Sequence, residues 1–155
     1  MQDNYYNEIK NELINNEVYK KVKDYSKNRK DLETYYNVGK LLYDAGKHYG
    51  EGIIKEYSKK LASEFGKRYS VRVLYKMIKY YEFISSNKVP TVSAQLTWSH
   101  YDELLKFNDI NKINYYITSS HEQNLSVREL RSKIKNNRIK KRIYRTNRNL
   151  YELYR

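Results

Sequence analysis

A run of cations near the end of the chain has the spacing needed to bind phosphate groups. From Ser126 onward, basic residues recur every three or four positions, which would place six of them on one helical face. They are Arg128, Arg131, Lys135, Arg138, Arg142 and Arg145. Such a face favours nucleic acid, because each neutralised phosphate releases condensed counterions. The alternative is a solvated helix face that only keeps the protein soluble.

A second set of cations surrounds a predicted turn in the middle of the chain. Two of them would lie in the turn, and the other three share one face of the helix that follows. The set consists of Lys67, Arg68, Arg72, Lys76 and Lys79. Cations at this position favour contact with bases or phosphates, as on a DNA recognition helix.

The sequence around these residues predicts a helix-turn-helix. Apolar residues from Ile53 to Phe65 have helical spacing, and Gly66 suits the left-handed backbone that ends many helices. Ser70 can cap a second helix, about residues 70–85, while Tyr69 and Leu74 form a hydrophobic staple. Two helices joined by a short turn are therefore expected.

The net charge of +13 is concentrated near the end of the chain. Residues 131–155 hold 10 Lys or Arg residues and one acid, Glu152. A basic cluster in one segment is the electrostatic signature of a nucleic-acid-binding protein. An anionic membrane surface is the competing target.

Residue types for catalysis are sparse, and we expect no catalytic residue, metal or cofactor. The chain has no cysteine, and His48, His100 and His121 lack the spacing of a helical zinc site. Ser99 and His100 are neighbours, and adjacent residues on a helix do not face each other. An acid-x-Lys nuclease motif occurs once, at residues 8–10, but within a helical pattern.

Composition indicates an all-α fold. With 5 Gly, 1 Pro and no alternating strand pattern, the chain lacks the signs of a sheet. We predict an amphipathic N-terminal helix in residues 1–28, a helical domain in 29–136 and a basic helical arm in 137–155. Gly39, inside a predicted helix from Asp31 to about Gly46, would mark a close helix contact.

Helix-start signals organise the second half of the chain. Thr97 or Ser99 can cap a short helix, and Phe107 to Asp109 precede another. Ser126 and Glu129 have the spacing of a capping box at the start of the last helix. These signals predict three further helices.

Nothing in the sequence predicts export or membrane insertion. No apolar run reaches half of a membrane span, and the N-terminus has no signal-peptide core. A soluble, cytoplasmic protein without a membrane partner is the expectation.

Several blocks of sequence resemble the helical N-terminal domain of the YhcG-like family of bacterial proteins. The similar segments lie in the order found in that family, across roughly residues 30 to 137. They are Tyr36-x-x-Gly39-Lys40, Tyr49-Gly50, Phe65-Gly66-Lys67-x-Tyr69-Ser70 with Leu74 and Met77, Leu96-Thr97-Trp98-Ser99-His100-Tyr101 with Leu104-Leu105, and Ser126-Val127-Arg128-Glu129-Leu130.

The resemblance implies an all-α, helix-turn-helix or winged-helix-like domain that binds DNA or mediates assembly. In that family the domain usually precedes a PD-(D/E)xK nuclease-like domain, which would hold the chemistry. Here the sequence ends at Arg155 after the basic segment. Nuclease activity is therefore not expected of this chain.

Three functions remain open from the sequence. The first is a non-enzymatic protein that binds duplex DNA through the helix-turn-helix and the basic arm. The second is a protein-interaction module, an adaptor or regulator of a nuclease or another nucleic-acid enzyme. The third is an RNA binder. A homodimer would suit major-groove docking, but the sequence does not decide it.

Overall fold

The computed structural model describes residues 4–21, 27–86 and 96–153, with the side chains of 19–21, 27–30 and 141–153 excepted. These ranges form seven α-helices: α1 (Asn4–Lys21), α2 (Lys27–Tyr49), α3 (Gly52–Phe65), α4 (Val71–Ser86), α5 (Trp98–Leu104), α6 (Ile110–Glu122) and α7 (Val127–Leu153). The all-α prediction is confirmed. No strand occurs in the described ranges, so the winged-helix detail is not confirmed.

Helix α2 is the centre of the first half of the fold. Tyr36 contacts Tyr81, whereas Gly46 and Tyr75 line one groove, so α2 and α4 run antiparallel. The two helices are in close contact at Gly39, where an added Cβ atom would lie 2.1 Å from the carbonyl oxygen of Met77. The predicted close contact at Gly39 is confirmed.

The helix-turn-helix has the predicted bounds to within a residue. Gly66 ends α3 with φ of 78°, and a single 3-10 turn, Lys67–Tyr69, leads into α4. Ser70 Oγ accepts a hydrogen bond of 3.4 Å from the amide of Val73, as an N-cap does. Tyr69 is buried against the first core, which positions the turn.

Helix α1 packs against both α2 and the helix-turn-helix. Its Ile9 and Leu13 are fully buried in the same core as α2, α3 and α4. Lys10 forms an ion pair of 2.9 Å with Glu64 at the end of α3. The predicted amphipathic helix thus packs its apolar face into the core, and its Lys10 forms an ion pair at the surface.

A second core lies beneath α5, α6 and α7. Thr97 caps α5, and His100 takes the place that Glu or Gln usually occupies in a capping box. The Nδ1 atom of His100 accepts from the Thr97 amide at 3.1 Å, so its Nε2–H donates to the carbonyl of Leu125 at 2.8 Å. One buried histidine therefore joins the start of α5 to the segment before α7.

Helices α6 and α7 begin at the predicted caps. Asp109 Oδ1 accepts from the amide of Asn111 at 2.9 Å. Ser126 Oγ accepts from the Glu129 amide at 3.1 Å, and Glu129 Oε1 accepts from the Ser126 amide at 3.4 Å, which confirms the capping box. From there α7 is one continuous helix to Leu153, and the predicted boundary at residue 136 lies within it.

Candidate nucleic-acid interface

Two cations of α4 contact the segment formed by α5 and the loop after it. The ammonium group of Lys76 forms an ion pair with the carboxylate of Asp102. One turn further along α4, Lys79 Nζ donates to Asn108 Oδ1 at 3.4 Å. Both side chains are half-buried beside this segment.

Two cations of α7 contact the same segment. Arg131 Nε donates to Glu103 Oε1 at 2.7 Å. The guanidinium carbon of Arg138 lies 5.8 Å from the ring centre of Phe107. Residues 102–108 thus bring together two predicted cations from each helix. We call this region the α4–α5–α7 surface, defined by Lys76, Lys79, Arg131 and Arg138.

Glu103 is the carboxylate with the most cationic contacts on this surface. Lys106 Nζ lies 3.3 Å from its Oε2, and Arg131 occupies the other oxygen. Burial alone would raise the pKa of Glu103, but the hydrogen bonds from Arg131 and Lys106 outweigh it and lower the pKa below its usual value. The carboxylate therefore stays ionised and holds α7 against α5.

Four further cations of the predicted set are exposed to solvent. They are Lys67, Arg72, Arg128 and Lys135, and none of them forms an ion pair with another described residue. Arg68 is different, because it bonds Glu17 of α1 at 2.9 Å. Arg142 and Arg145 belong to α7, but their side chains lie outside the described residues. The charges of these four side chains are therefore available to phosphates.

Fewer cations of α4 face the solvent than the helical spacing alone indicated. With Lys76 and Lys79 directed at α5, the exposed positions along α4 include Arg72, Tyr75 and Glu82. A single cation and a single acid among these three give this face little net charge. The cationic character of α4 is thus concentrated at its N-terminal end, next to Lys67 in the turn.

Sequence patterns missed a groove along α7 and the loop that precedes it. It has a volume of about 510 Å³, and its charged lining residues are Arg128, Glu129, Lys133 and Lys140. Lys133 and Lys140 were not predicted, because they lie outside the helical face that holds the basic residues from Arg128 to Arg145. Their spacing of seven residues was the available signal, since positions seven apart share a helical face.

Most of the tyrosines whose side chains the structure describes pack in or against the two cores. Tyr57, Tyr101 and Tyr116 are buried, and Tyr80 packs edge-on against Trp98. Tyr115 differs, because 53 % of its surface is exposed beside α7. An exposed aromatic ring next to cations suits base stacking.

The three histidines lie apart in the fold. His100 caps α5, His48 packs beside the ring of Tyr5 at the end of α2, and His121 lies in the last turn of α6. Within the described ranges, no three His, Asp or Glu side chains are grouped as metal ligands.

Comparison with known protein families identifies the family of this chain. The family model described as the DUF1016 N-terminal domain matches residues 8–141. The chain belongs to this family. The DUF1016 N-terminal domain is the YhcG N-terminal domain family that the sequence motifs indicated, so that identification is confirmed. No curated protein and no solved structure matches the chain.

The matched range of the DUF1016 N-terminal domain contains the candidate interface. It includes the helix-turn-helix, α5, α6 and the first half of α7, up to Lys141. All four residues that define the α4–α5–α7 surface fall inside it. Among the residues that the structure describes, no helix has both the length and the apolar character needed to cross a membrane.

Proposed function

We propose that this chain binds duplex DNA without cutting it, through cations presented by α4 and α7. The observation that carries the proposal is the meeting of Lys76, Lys79, Arg131 and Arg138 at residues 102–108. Two cationic sets that are far apart in the sequence thereby contact one segment of seven residues. Basic residues clustered in space are the electrostatic footprint of a nucleic-acid-binding protein.

The exposed cations make the direct phosphate contacts in this proposal. Lys67 and Arg72 lie at the start of α4, while Arg128 and Lys135 lie along α7. The paired cations contribute in another way, because Asp102 and Glu103 fix the positions of α4 and α7 relative to α5. These ion pairs fix the helices that carry the exposed cations before DNA arrives, which reduces the entropy lost on binding.

The two helices have different roles. The N-terminal end of α4, with Arg72, enters the major groove as in other helix-turn-helix proteins. Helix α7 has 27 residues and is therefore about 40 Å long, enough to follow the backbone beyond the domain. Base contacts from α4 would give selectivity, and phosphate contacts from α7 would give affinity.

A pair of charge-matched double variants tests the proposal. Arg72→Gln with Lys135→Gln removes one exposed cation from each helix. Lys40→Gln with Lys59→Gln removes the same charge from α2 and α3, outside the surface. Affinity for a fluorescent duplex is measured by anisotropy, with circular dichroism to confirm folding.

The proposal predicts a loss of affinity in the first double variant that clearly exceeds the loss in the second. Equal losses would mean that only the net charge matters, and the interface would be wrong. Incubation of the wild-type chain with plasmid DNA and Mg²⁺ tests the non-enzymatic part, for which intact plasmid is expected.

A further inference from the structure

The groove along α7 and the loop before it has the charge of a nucleic-acid site, although it lies outside the α4–α5–α7 surface. Three cations, Arg128, Lys133 and Lys140, face one acid, Glu129. That acid already accepts a hydrogen bond from the Ser126 amide in the capping box. The groove therefore presents unmatched positive charge to any ligand.

Two other grooves of similar size show that this charge is distinctive. The groove among α2, α3 and α4, about 540 Å³, contains two lysines and two glutamates. The groove between α1 and α2, about 500 Å³, has Lys40 against Glu8, Glu12 and Asp44. Of these three grooves, the one along α7 is net positive and the others are neutral or negative.

An exposed aromatic ring lies beside the cations of this groove. Lys133 Nζ is 5.6 Å from the ring centre of Tyr115. The Tyr115 ring also packs edge-on against buried Tyr116, with 5.1 Å between ring centres. Tyr116 is fixed in turn by Asn137 of α7, whose Nδ2 donates to its hydroxyl at 2.9 Å. Tyr115 is thus a supported ring that leaves 53 % of its surface free.

We infer that the groove binds an unpaired DNA strand, with a base stacked on Tyr115 and phosphates held by Arg128, Lys133 and Lys140. This inference deepens the proposed function, since it rests on nucleic-acid binding and adds a second kind of substrate. Stacking on an aromatic ring requires a base face that a continuous duplex does not offer. The three cations span about 18 Å of helix, a length that covers several nucleotides.

A single-stranded ligand follows from the geometry of the groove. The groove follows one helix, α7, and the exposed Tyr115 ring beside it can stack on a base that is not paired. The strand would run along α7 next to the surface proposed for the duplex, because Arg128 belongs to both sets of cations. A chain with both sites would suit DNA in which a duplex meets an unpaired segment.

The test compares Tyr115→Leu with Tyr75→Leu in the full chain. Both tyrosines are about half exposed, and Tyr75 lies on α4 outside the groove. Fluorescence anisotropy with a 12-nucleotide oligothymidine and, separately, with a duplex measures the two affinities. A second comparison tests the cations of the groove. The double variant Lys133→Gln with Lys140→Gln is compared with Lys40→Gln with Lys59→Gln, which removes the same number of positive charges elsewhere.

The inference predicts that Tyr115→Leu weakens single-strand binding about tenfold and leaves duplex binding unchanged, whereas Tyr75→Leu changes the single-strand affinity little. The lysine pair of the groove should likewise lose more single-strand affinity than its control. Unchanged single-strand binding in Tyr115→Leu, or an equal loss in Tyr75→Leu, overturns the inference and leaves duplex binding untouched. If the wild type binds the single strand but no duplex, the proposed function fails and the inference stands.

Discussion

Arg131 of α7 donates a hydrogen bond of 2.7 Å to Glu103 of α5, and this contact joins the basic helix to α5. The preceding residue of α5, Asp102, pairs with Lys76 of α4. Neighbouring carboxylates on one short helix therefore fix the two cationic helices. The acids of this region organise the surface as well as reduce its net charge.

Replacing Glu103 with Gln should destabilise the protein at neutral pH by about 1 kcal/mol, the upper end for a pair open to solvent on one side. For a chain of this size the melting temperature should fall by about 2 to 4 °C. Thermal unfolding followed by circular dichroism measures the change. Lys59→Gln, at an exposed position of α3, is the control and should melt like the wild type.

The pH dependence of the same variant follows from the pKa of Glu103. Because the folded-state pKa lies below the ordinary value of 4.5, the stabilisation is present above that value and is lost as the pH falls through the folded pKa. The difference between wild type and Glu103→Gln should therefore shrink below about pH 4.5. A difference that is as large at pH 3 as at pH 7 would show that the ion pair is not its cause.

Two glycines of α2 should respond in opposite ways to alanine. Gly39→Ala would place a Cβ atom 2.1 Å from a backbone oxygen of α4, so the helices must separate, at a cost of about 1 to 3 kcal/mol or more. Gly46→Ala meets no atom within 4 Å and should stabilise the helix by about 0.5 to 1 kcal/mol. Urea denaturation measures both, and similar effects at the two positions would contradict the close crossing of α2 and α4.

Local signals predicted the helices well, because caps and turns depend on residues that are close in the sequence. Gly66, Ser70 and the pair of Ser126 and Glu129 have the expected roles. His100 was not assigned a structural role, since its partner Leu125 is 25 residues away. Only tertiary packing reveals that one side chain completes a cap and joins two segments.

The candidate surface was predictable in its residue types but not in its arrangement. Helical spacing grouped Arg72, Lys76 and Lys79, yet the last two are directed at α5 by partners in a different helix and in the loop after it. The sequence also gave no reason to connect α4 with α7. Contacts between distant segments decide which cations are free, and periodicity within one helix does not contain that information.

His100→Ala should cost about 1 to 3 kcal/mol, because it removes the bonds to Thr97 and Leu125 from a buried site. Thr97→Ala should cost about 1 kcal/mol through loss of the cap alone. The double variant should lose less than the two single variants together, since both belong to one capping box. Strict additivity in urea denaturation would mean that the two residues act separately.

Two truncations should separate the part of α7 that stabilises the fold from the part that extends beyond it. Ending the chain after Asn136 removes Asn137, which bonds Tyr116, and Arg138, which lies over Phe107. Ending it after Lys140 keeps both contacts. The shorter chain should melt several degrees below the longer one, as loss of about 1 kcal/mol predicts. Equal melting temperatures would place the structural boundary before residue 137.

The salt dependence of duplex binding tests the central claim most directly. Affinity of the full chain for a short duplex is measured by anisotropy between about 50 and 200 mM salt, where phosphate contacts have their largest effect. Four exposed cations, Lys67, Arg72, Arg128 and Lys135, predict a slope of log affinity against log salt of about −4, at roughly −0.9 per phosphate. The account predicts binding with that slope or a steeper one. Absence of duplex binding across this range, or an affinity independent of salt, would contradict it.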